Sequence, residues 1–420
     1  ALPAAEARRD LRFVVGEGSL LAMVQGFVRS ARRELQLDWR LVQTDGSTVV
    51  LADDPWLRVR DGRVEAARLE RVAPREPRAW GRVLITGGFG GLGVELARAL
   101  KDRCEVVLLG RTLRPQVLEE LGVQGVAADV RDPRALAEVL APFTFDTVVH
   151  AAGVLADGPL GQAFETVEPV FTTKIDGANA LRQVLGDAVS YVFYSSASAV
   201  LGAPGQTAYA SANAVLDALA AQWRTEGLDA VSVAWGPWAD VGMAASLDPA
   251  VVARQRAEGV RRIPVAQGLA AAETSPGGLV LAMDWPRFLP IHGEPLFAGL
   301  GWVPAAPVRA GWTPAAGLDA LPAWLDEVAR EVLRIPPDRP LPVDQPLQEV
   351  GMDSLMAVGL RNRLADAGLD VPVARLIGGP SIEEIVAIAR AQLTPIEPVD
   401  EEPIGWFHPL VTHALIALLA

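Results

Sequence analysis

Between residues 83 and 285, short apolar runs alternate with stretches whose apolar residues recur every three or four positions. The runs VLIT (83–86), EVVLLG (105–110), GVAAD (125–129), TVVHAAG (147–153), YVFYSS (191–196), AVSVAWG (230–236) and LVLAMDW (279–285) have the length and composition of strands. Periodicities such as Val94–Leu100 predict helices between most of them. Strands that are apolar on both faces and alternate with helices predict a mostly parallel sheet with helices on both faces, the Rossmann-like α/β class.

The pattern changes on either side of this block. Residues 1–78 hold short apolar runs, Leu11–Val15 and Ser47–Leu51, around a helical stretch from Leu20 to Leu35. An Arg- and Pro-rich join, RVAPREPRAWGR (71–82), leads into the main domain, placed at 79–290. Residues 291–318 are rich in Pro, Gly and Ala and read as a linker. From 319 to 393 the pattern is that of a small all-α helical bundle. One helix covers Leu325–Leu333, and a second covers Asp353–Leu364 with Met356, Leu360 and Leu364 on one face. A third, Ser381–Ala391, is opened by a capping box of Ser381 and Glu384. Residues 394–420 begin acidic and end apolar, a tail or the start of a further element.

At 420 residues, half of them apolar, the chain has length and core material for two or three domains. A formal charge of −13 argues against a nucleic-acid partner, whose phosphates require a basic surface. With Cys104 as the single cysteine there is no internal disulfide, and four histidines make a metal centre unexpected. No signal peptide opens the chain, and His408–Ala420 is too short to span a bilayer. A cytoplasmic protein without membrane contact is expected, and both ends read as cuts from a longer polypeptide.

The segment TGGFGGLG (86–93) follows a strand and opens a helix, the setting of a dinucleotide loop. In that reading Thr86 ends the strand, and Gly87 and Gly88 form the turn. Gly91 lets the backbone approach a pyrophosphate, and Leu92 and Gly93 start a helix packed close to the sheet. Glycine-rich turns also arise for steric reasons alone. The second strand ends in Arg111, where an acidic side chain would grip a ribose hydroxyl; arginine favours a 2′-phosphate, hence NADPH, unless it is only a solvated surface group. Asp129, at the end of the third strand, either hydrogen-bonds an adenine or caps the next helix.

A second constellation lies in YSSASAVLGAPGQTAYASAN: Ser196, Tyr209 and Asn213. It resembles the short-chain dehydrogenase/reductase superfamily, in which a strand-end serine and a tyrosine thirteen residues later face the nicotinamide. Most of that superfamily has a lysine four residues after the tyrosine, where Asn213 stands. The ketoreductases of modular type I polyketide synthases place the lysine upstream instead, and Lys174 in VFTTKIDGANAL matches it. VVHAAGVLADGPL, AYASANAVLDALA and VAWGPWADVGMA are similar to the same family, over roughly residues 20–290. The initial segment is similar to the later part of its non-catalytic structural subdomain. The resemblance implies Tyr209 as proton donor and Ser196 as hydrogen-bond donor to the same oxygen. Lys174 would lower the phenol's pKa, and Asn213 would fix Lys174 or a water. Outside the constellation each residue reads as packing, capping or surface.

Family members of one stereochemical class carry Leu-x-Asp after the HAAG strand, and Leu155 and Asp157 retain it. The opposite class has a tryptophan eight residues before the tyrosine, where Leu201 stands. The implied outcome is B-type, a D-configured hydroxyl, although position 156 is alanine where aspartate is commoner and Asp157 also suits a turn cap.

GMDSL (351–355) resembles the attachment site of acyl carrier proteins in the same synthases, where the serine, here Ser354, receives 4′-phosphopantetheine. An ordinary helix cap is the plain alternative. Residues 319–393 hold twelve Asp/Glu and seven Arg/Lys, an excess suited to basic docking patches or to solubility. The combined expectation is NADPH-dependent reduction of a β-ketoacyl thioester tethered at Ser354. The partners would be ketosynthase, acyltransferase and phosphopantetheinyl transferase. The alternative is a carrier and scaffold module with a vestigial reductase.

Overall fold

The computed structural model describes residues 12–15, 19–35, 40–44, 56–60, 63–154, 158, 164–242, 249–292, 294–300, 318–333, 335–336, 339–352, 354–367, 369, 371, 375–376 and 378–393. Two compact units build the chain, one from Arg12–Ser30 with Trp39–Pro304 and the other chiefly from Ala305–Val411.

The chain opens with β1 (Arg12–Val15), α1 (Ser19–Leu35), β2 (Arg40–Thr44), β3 (Trp56–Arg60) and β4 (Arg63–Ala66). β1, β2 and β3 pair in parallel and β4 closes the edge antiparallel to β3. The expected run Ser47–Leu51 lies outside the described residues.

The main sheet follows. Its elements are β5 (Val83–Thr86), α2 (Gly91–Leu100), β6 (Val106–Gly110), α3 (Pro115–Leu121), β7 (Gln124–Ala127), α4 (Pro133–Leu140), β8 (Thr147–His150), α5 (Phe164–Phe171), α6 (Gly177–Leu185), β9 (Ser190–Ser196), α7 (Ser198–Leu201), α8 (Thr207–Thr225) and β10 (Ala230–Trp235). After these come α9 (Pro249–Ala257), β11 (Val260–Arg261), α10 (Val265–Thr274), β12 (Gly278–Val280), β13 (Ala282–Met283) and α11 (Trp285–His292). The strand order is β7-β6-β5-β8-β9-β10-β12, parallel throughout. The order reverses between β5 and β8, so the loops after these two strands open a crevice at the carboxyl edge. β5, β8 and β10 are buried along their whole length, as strands covered on both faces must be.

The run at 279–285 is not one strand. It divides at Leu281 into β12, on the edge of the main sheet, and β13, which pairs antiparallel with β11. The linker expected at 291–318 also starts later. Pro295–Leu300 forms a 3-10 turn, and buried Phe297 packs against Trp285 and Phe288, because a run carrying Leu296 and Phe297 has core to fill.

α1 reaches the catalytic half directly. A Cβ on Gly26 would stand 2.6 Å from the Ala210 carbonyl oxygen and the Ser211 Cα of α8. Arg29 donates to the Ala199 carbonyl at 2.9 Å, and Ser30 accepts the amide of Ala203 at 3.1 Å.

The second unit contains α12 (Leu321–Leu333), α13 (Ser354–Asp366) and α14 (Ile382–Leu393). Leu321, Leu325, Val328 and Ala329 of α12 meet Leu360 and Leu364 of α13 and Ile385 and Ala389 of α14 in one core, the i, i+4 spacing putting each set on one face. The Ser381 hydroxyl accepts the Glu384 amide at 3.2 Å and Glu384 accepts the Ser381 amide at 2.9 Å, the reciprocal cap the spacing predicts. Residues 394–420 lie outside the described residues, and among those described no helix is long and apolar enough to cross a membrane.

Candidate active site

The loop between β5 and α2 turns at Gly87, whose φ of +65° is a left-handed conformation that favours glycine. Gly90 ends the loop without a side-chain cap, which leaves the first amides of α2 for an external acceptor. Side chains are excluded here by the neighbours: a Cβ on Gly88 would meet the Ile85 carbonyl at 2.7 Å, one on Gly91 the Gly242 nitrogen at 2.5 Å, and one on Gly93 the Gly87 carbonyl at 2.6 Å. Leu92 packs on Gly242. The result is a bare backbone cradle at the crevice, which fits a pyrophosphate. Gly93 thus brings α2 against the loop itself.

Arg111 is exposed just beyond the end of β6. Asp129, beyond β7, holds Arg131: its carboxylate accepts from the Arg131 amide at 3.0 Å and from the guanidinium at 2.8 Å and 3.0 Å. Those bonds, first among several influences, keep its carboxyl below the usual range, with the Arg111 charge a smaller one. The cap of α4 is Asp132, which accepts from the amides of Arg134 and Ala135.

Lys174 sits in a π-helical turn, Thr172–Asp176, between α5 and α6. Pro169 within α5 has no amide to give, and Thr172 and Thr173 turn their hydroxyls back onto the carbonyls of Glu168 and Pro169. Lys174 is the buried side chain of the widened turn. Its Nζ donates to the Tyr194 carbonyl at 2.8 Å and lies 5.9 Å from the centre of the Tyr209 ring. Burial pulls the ammonium down to about 8, opposed by the charge of Asp217.

Tyr209 stands in the first turn of α8 and Asn213 one turn later. Asn213 Nδ2 donates to the Tyr209 carbonyl at 2.8 Å, which orients the amide, while buried Oδ1 keeps an unused acceptor. Ser196 ends β9, two residues beyond the carbonyl that receives Lys174. The amide and hydroxyl of Ser198 both donate to Ser196 Oγ, at 3.2 Å and 2.9 Å. With those bonds made to its oxygen, Ser196 retains its own proton to give.

Sequence reasoning missed His150. Its Nε2 lies 3.0 Å from the Lys174 carbonyl and its Nδ1 lies 2.7 Å from Thr86 Oγ1. A carbonyl only accepts, so Nε2 carries the proton. Burial, assisted by the Lys174 charge, pushes the imidazole pKa down to about 3, so the ring is neutral and Nδ1 accepts from Thr86. Thr86 Oγ1 then accepts the Ala152 amide at 3.3 Å. One relay joins the glycine-rich loop after β5 to the turn that carries Lys174. The available signal was a lone histidine at the buried end of the strand TVVH.

Ser354, the expected attachment serine, is the first residue of α13. Gly351 precedes it at φ +106°, and the Met352 amide closes the turn on the Leu347 carbonyl at 2.9 Å with the Met352 side chain buried. That turn starts a helix at the serine, where amides can meet a phosphodiester. The Ser354 side chain lies outside the described residues, as do Asp353, Leu155 and Asp157. Leu201 ends α7.

Known proteins resemble both units. Residues 81–240 match the family model of the KR domain and residues 323–389 that of the phosphopantetheine attachment site. The spectinabilin polyketide synthase system protein NorB of Streptomyces orinoci is 35% identical over 78% of this chain and 17% of its own length. Polyketide synthase GfsE of Streptomyces halstedii is 36% identical over 90% of this chain and 12% of its own. The chain therefore spans less than a fifth of either relative. Among solved structures, the PlmKR1 ketoreductase from the first module of phoslactomycin biosynthesis in Streptomyces sp. HK803 superposes with a TM-score of 0.60 at 33% identity, covering 69% of this chain and 79% of that one. An A-type ketoreductase from a modular polyketide synthase gives 0.60 at 29% identity, over 69% and 73%.

Proposed function

The chain belongs to the modular polyketide synthases, as a segment with a ketoreductase domain and a phosphopantetheine attachment domain, and from that premise we propose that it reduces a β-ketoacyl thioester tethered at Ser354 to the β-hydroxyacyl thioester with NADPH. The observation that carries the reading is the buried Lys174 ammonium, fixed on the Tyr194 carbonyl 5.9 Å from the Tyr209 ring.

The bare amides at the start of α2 would hold the pyrophosphate of NADPH and Arg111 its 2′-phosphate, and the bound coenzyme would supply the hydride for the β-carbonyl carbon. The protein's own groups manage the oxygen. Ser196 donates a hydrogen bond to it, and Tyr209 transfers the phenolic proton as negative charge grows there. The Lys174 cation favours loss of that proton. The unused acceptor of Asn213 suits an ordered water that returns a proton to the site. Ketone, hydride and proton together make the alcohol.

Absence of a tryptophan at Leu201 and retention of Leu155 and Asp157 support a B-type, D-configured hydroxyl. The test is NADPH consumption, followed at its absorbance band, with the N-acetylcysteamine thioester of a 3-oxoacid, and chiral resolution of the product. Turnover giving the D-alcohol is expected. No turnover defeats the reductase reading, and wholly L-configured product defeats the stereochemical one.

A further inference from the structure

Asp217 follows Asn213 by one turn of α8 and Tyr209 by two, so the three share a face of that helix. Its carboxylate is fastened to the strand beneath. Oδ1 accepts from Ser232 Oγ of β10 at 2.5 Å. The Ser195 hydroxyl of β9 donates to the Asn213 carbonyl at 3.2 Å and also acts to lower the Asp217 pKa. Ser195 stands between Tyr194, whose carbonyl holds Lys174, and Ser196. Asp217 is therefore anchored to β10 on the helix face that carries Tyr209 and Asn213, close behind the groups proposed for the proton transfer.

A buried ammonium on a neutral carbonyl needs negative charge nearby to stay protonated. We propose that Asp217 is a positioning residue, the fixed negative charge that holds Lys174 as an ammonium beside the Tyr209 ring. The inference rests on the reductase reading above. Arg29 of α1 also faces this carboxylate, and Glu294 in turn acts on Arg29. From β8, His150 contributes no charge, because it is neutral. Burial lifts the Asp217 carboxyl to about 6 and lowers Lys174 to about 8, each opposed by the charge of the other, so the two are ionised together between those values.

The sequence offers a direct readout, because Lys101 and Lys174 are its two lysines. Lysine labelled with ¹³C at the ε-carbon gives two NMR signals, assigned with Lys101→Arg, and their titration can be followed in the full chain without any turnover. Wild-type Lys174 should titrate near 8, and Asp217→Asn, which keeps the shape but removes the charge, should lower that midpoint by about one unit. Asp217→Glu should restore it. The alkaline limb of kcat, measured with the same thioester, should move with the midpoint, and KM should change little.

An unchanged Lys174 midpoint in Asp217→Asn overturns the proposal. If that variant does not fold, Ser232→Ala loosens the carboxylate and should move the midpoint the same way by less; no movement there overturns it equally. A protein whose midpoint shifts as expected but which never consumes NADPH supports the electrostatic link and defeats the reductase reading instead.

Discussion

His150 stands 3.0 Å from the carbonyl oxygen of Lys174 and gives it the Nε2 proton. A neutral, fully buried imidazole here has a consequence for stability. The folded pKa, about 3, lies below the ordinary value of 6.5, so the unfolded chain binds the extra proton first. The associated stability is fully present above pH 6.5 and is lost progressively as pH falls toward 3. By pH 5 the loss amounts to about 2 kcal/mol. Denaturant unfolding at pH 7 and pH 5 should show this drop, and His150→Gln should be less stable at pH 7 but lose less on acidification.

Tyr209→Phe removes the phenolic proton donor and leaves the ring beside Lys174. Its kcat should fall by about 100-fold or more, the scale of general acid catalysis. NADPH affinity, read by fluorescence titration, should stay near wild type because the substitution leaves the loop at 87–93, proposed to hold the dinucleotide, unchanged.

Arg111→Ala should erode the choice of coenzyme. A charge-assisted hydrogen bond to a 2′-phosphate is worth about 1.5–3 kcal/mol, so KM for NADPH should rise roughly 10- to 100-fold. KM for NADH should hardly move. Equal effects on both coenzymes would mean that Arg111 does not face the phosphate.

Incubation with coenzyme A and a phosphopantetheinyl transferase should raise the intact mass by one phosphopantetheine group. Ser354→Ala should abolish the increase and leave NADPH consumption on the free thioester unaffected. Loading at another residue would displace the carrier assignment.

The strand and helix pattern was legible because each central strand is apolar on both faces and each helix between them keeps its period. The capping box at Ser381 was legible for a similar reason, since both partners are local in sequence. Tertiary relations were not. Nothing local distinguishes Asp132, the true cap of α4, from Asp129, which turns to Arg131 instead. LVLAMDW has strand composition throughout, yet its division depends on β11, some twenty residues earlier, offering a second edge. The roles of His150 and Asp217 also depend on partners distant in sequence, Thr86 at one and Ser232 at the other, and a buried polar residue in an apolar run shows where such a partner is needed without saying which. The Tyr209, Asn213 and Lys174 grouping was recognised by family resemblance, and periodicity alone would have left Lys174 on a helix surface.

The seat of α1 on α8 sets a rule for grafting reductases between assembly lines. Gly26 comes so near Ala210 and Ser211 that no methyl group fits between them. The helix bearing the tyrosine is therefore roofed by a segment that precedes the nucleotide fold by more than fifty residues. A transplant cut at the Arg- and Pro-rich join, however natural that seam looks, would carry the chemistry away from its roof. The splice belongs upstream of Arg12.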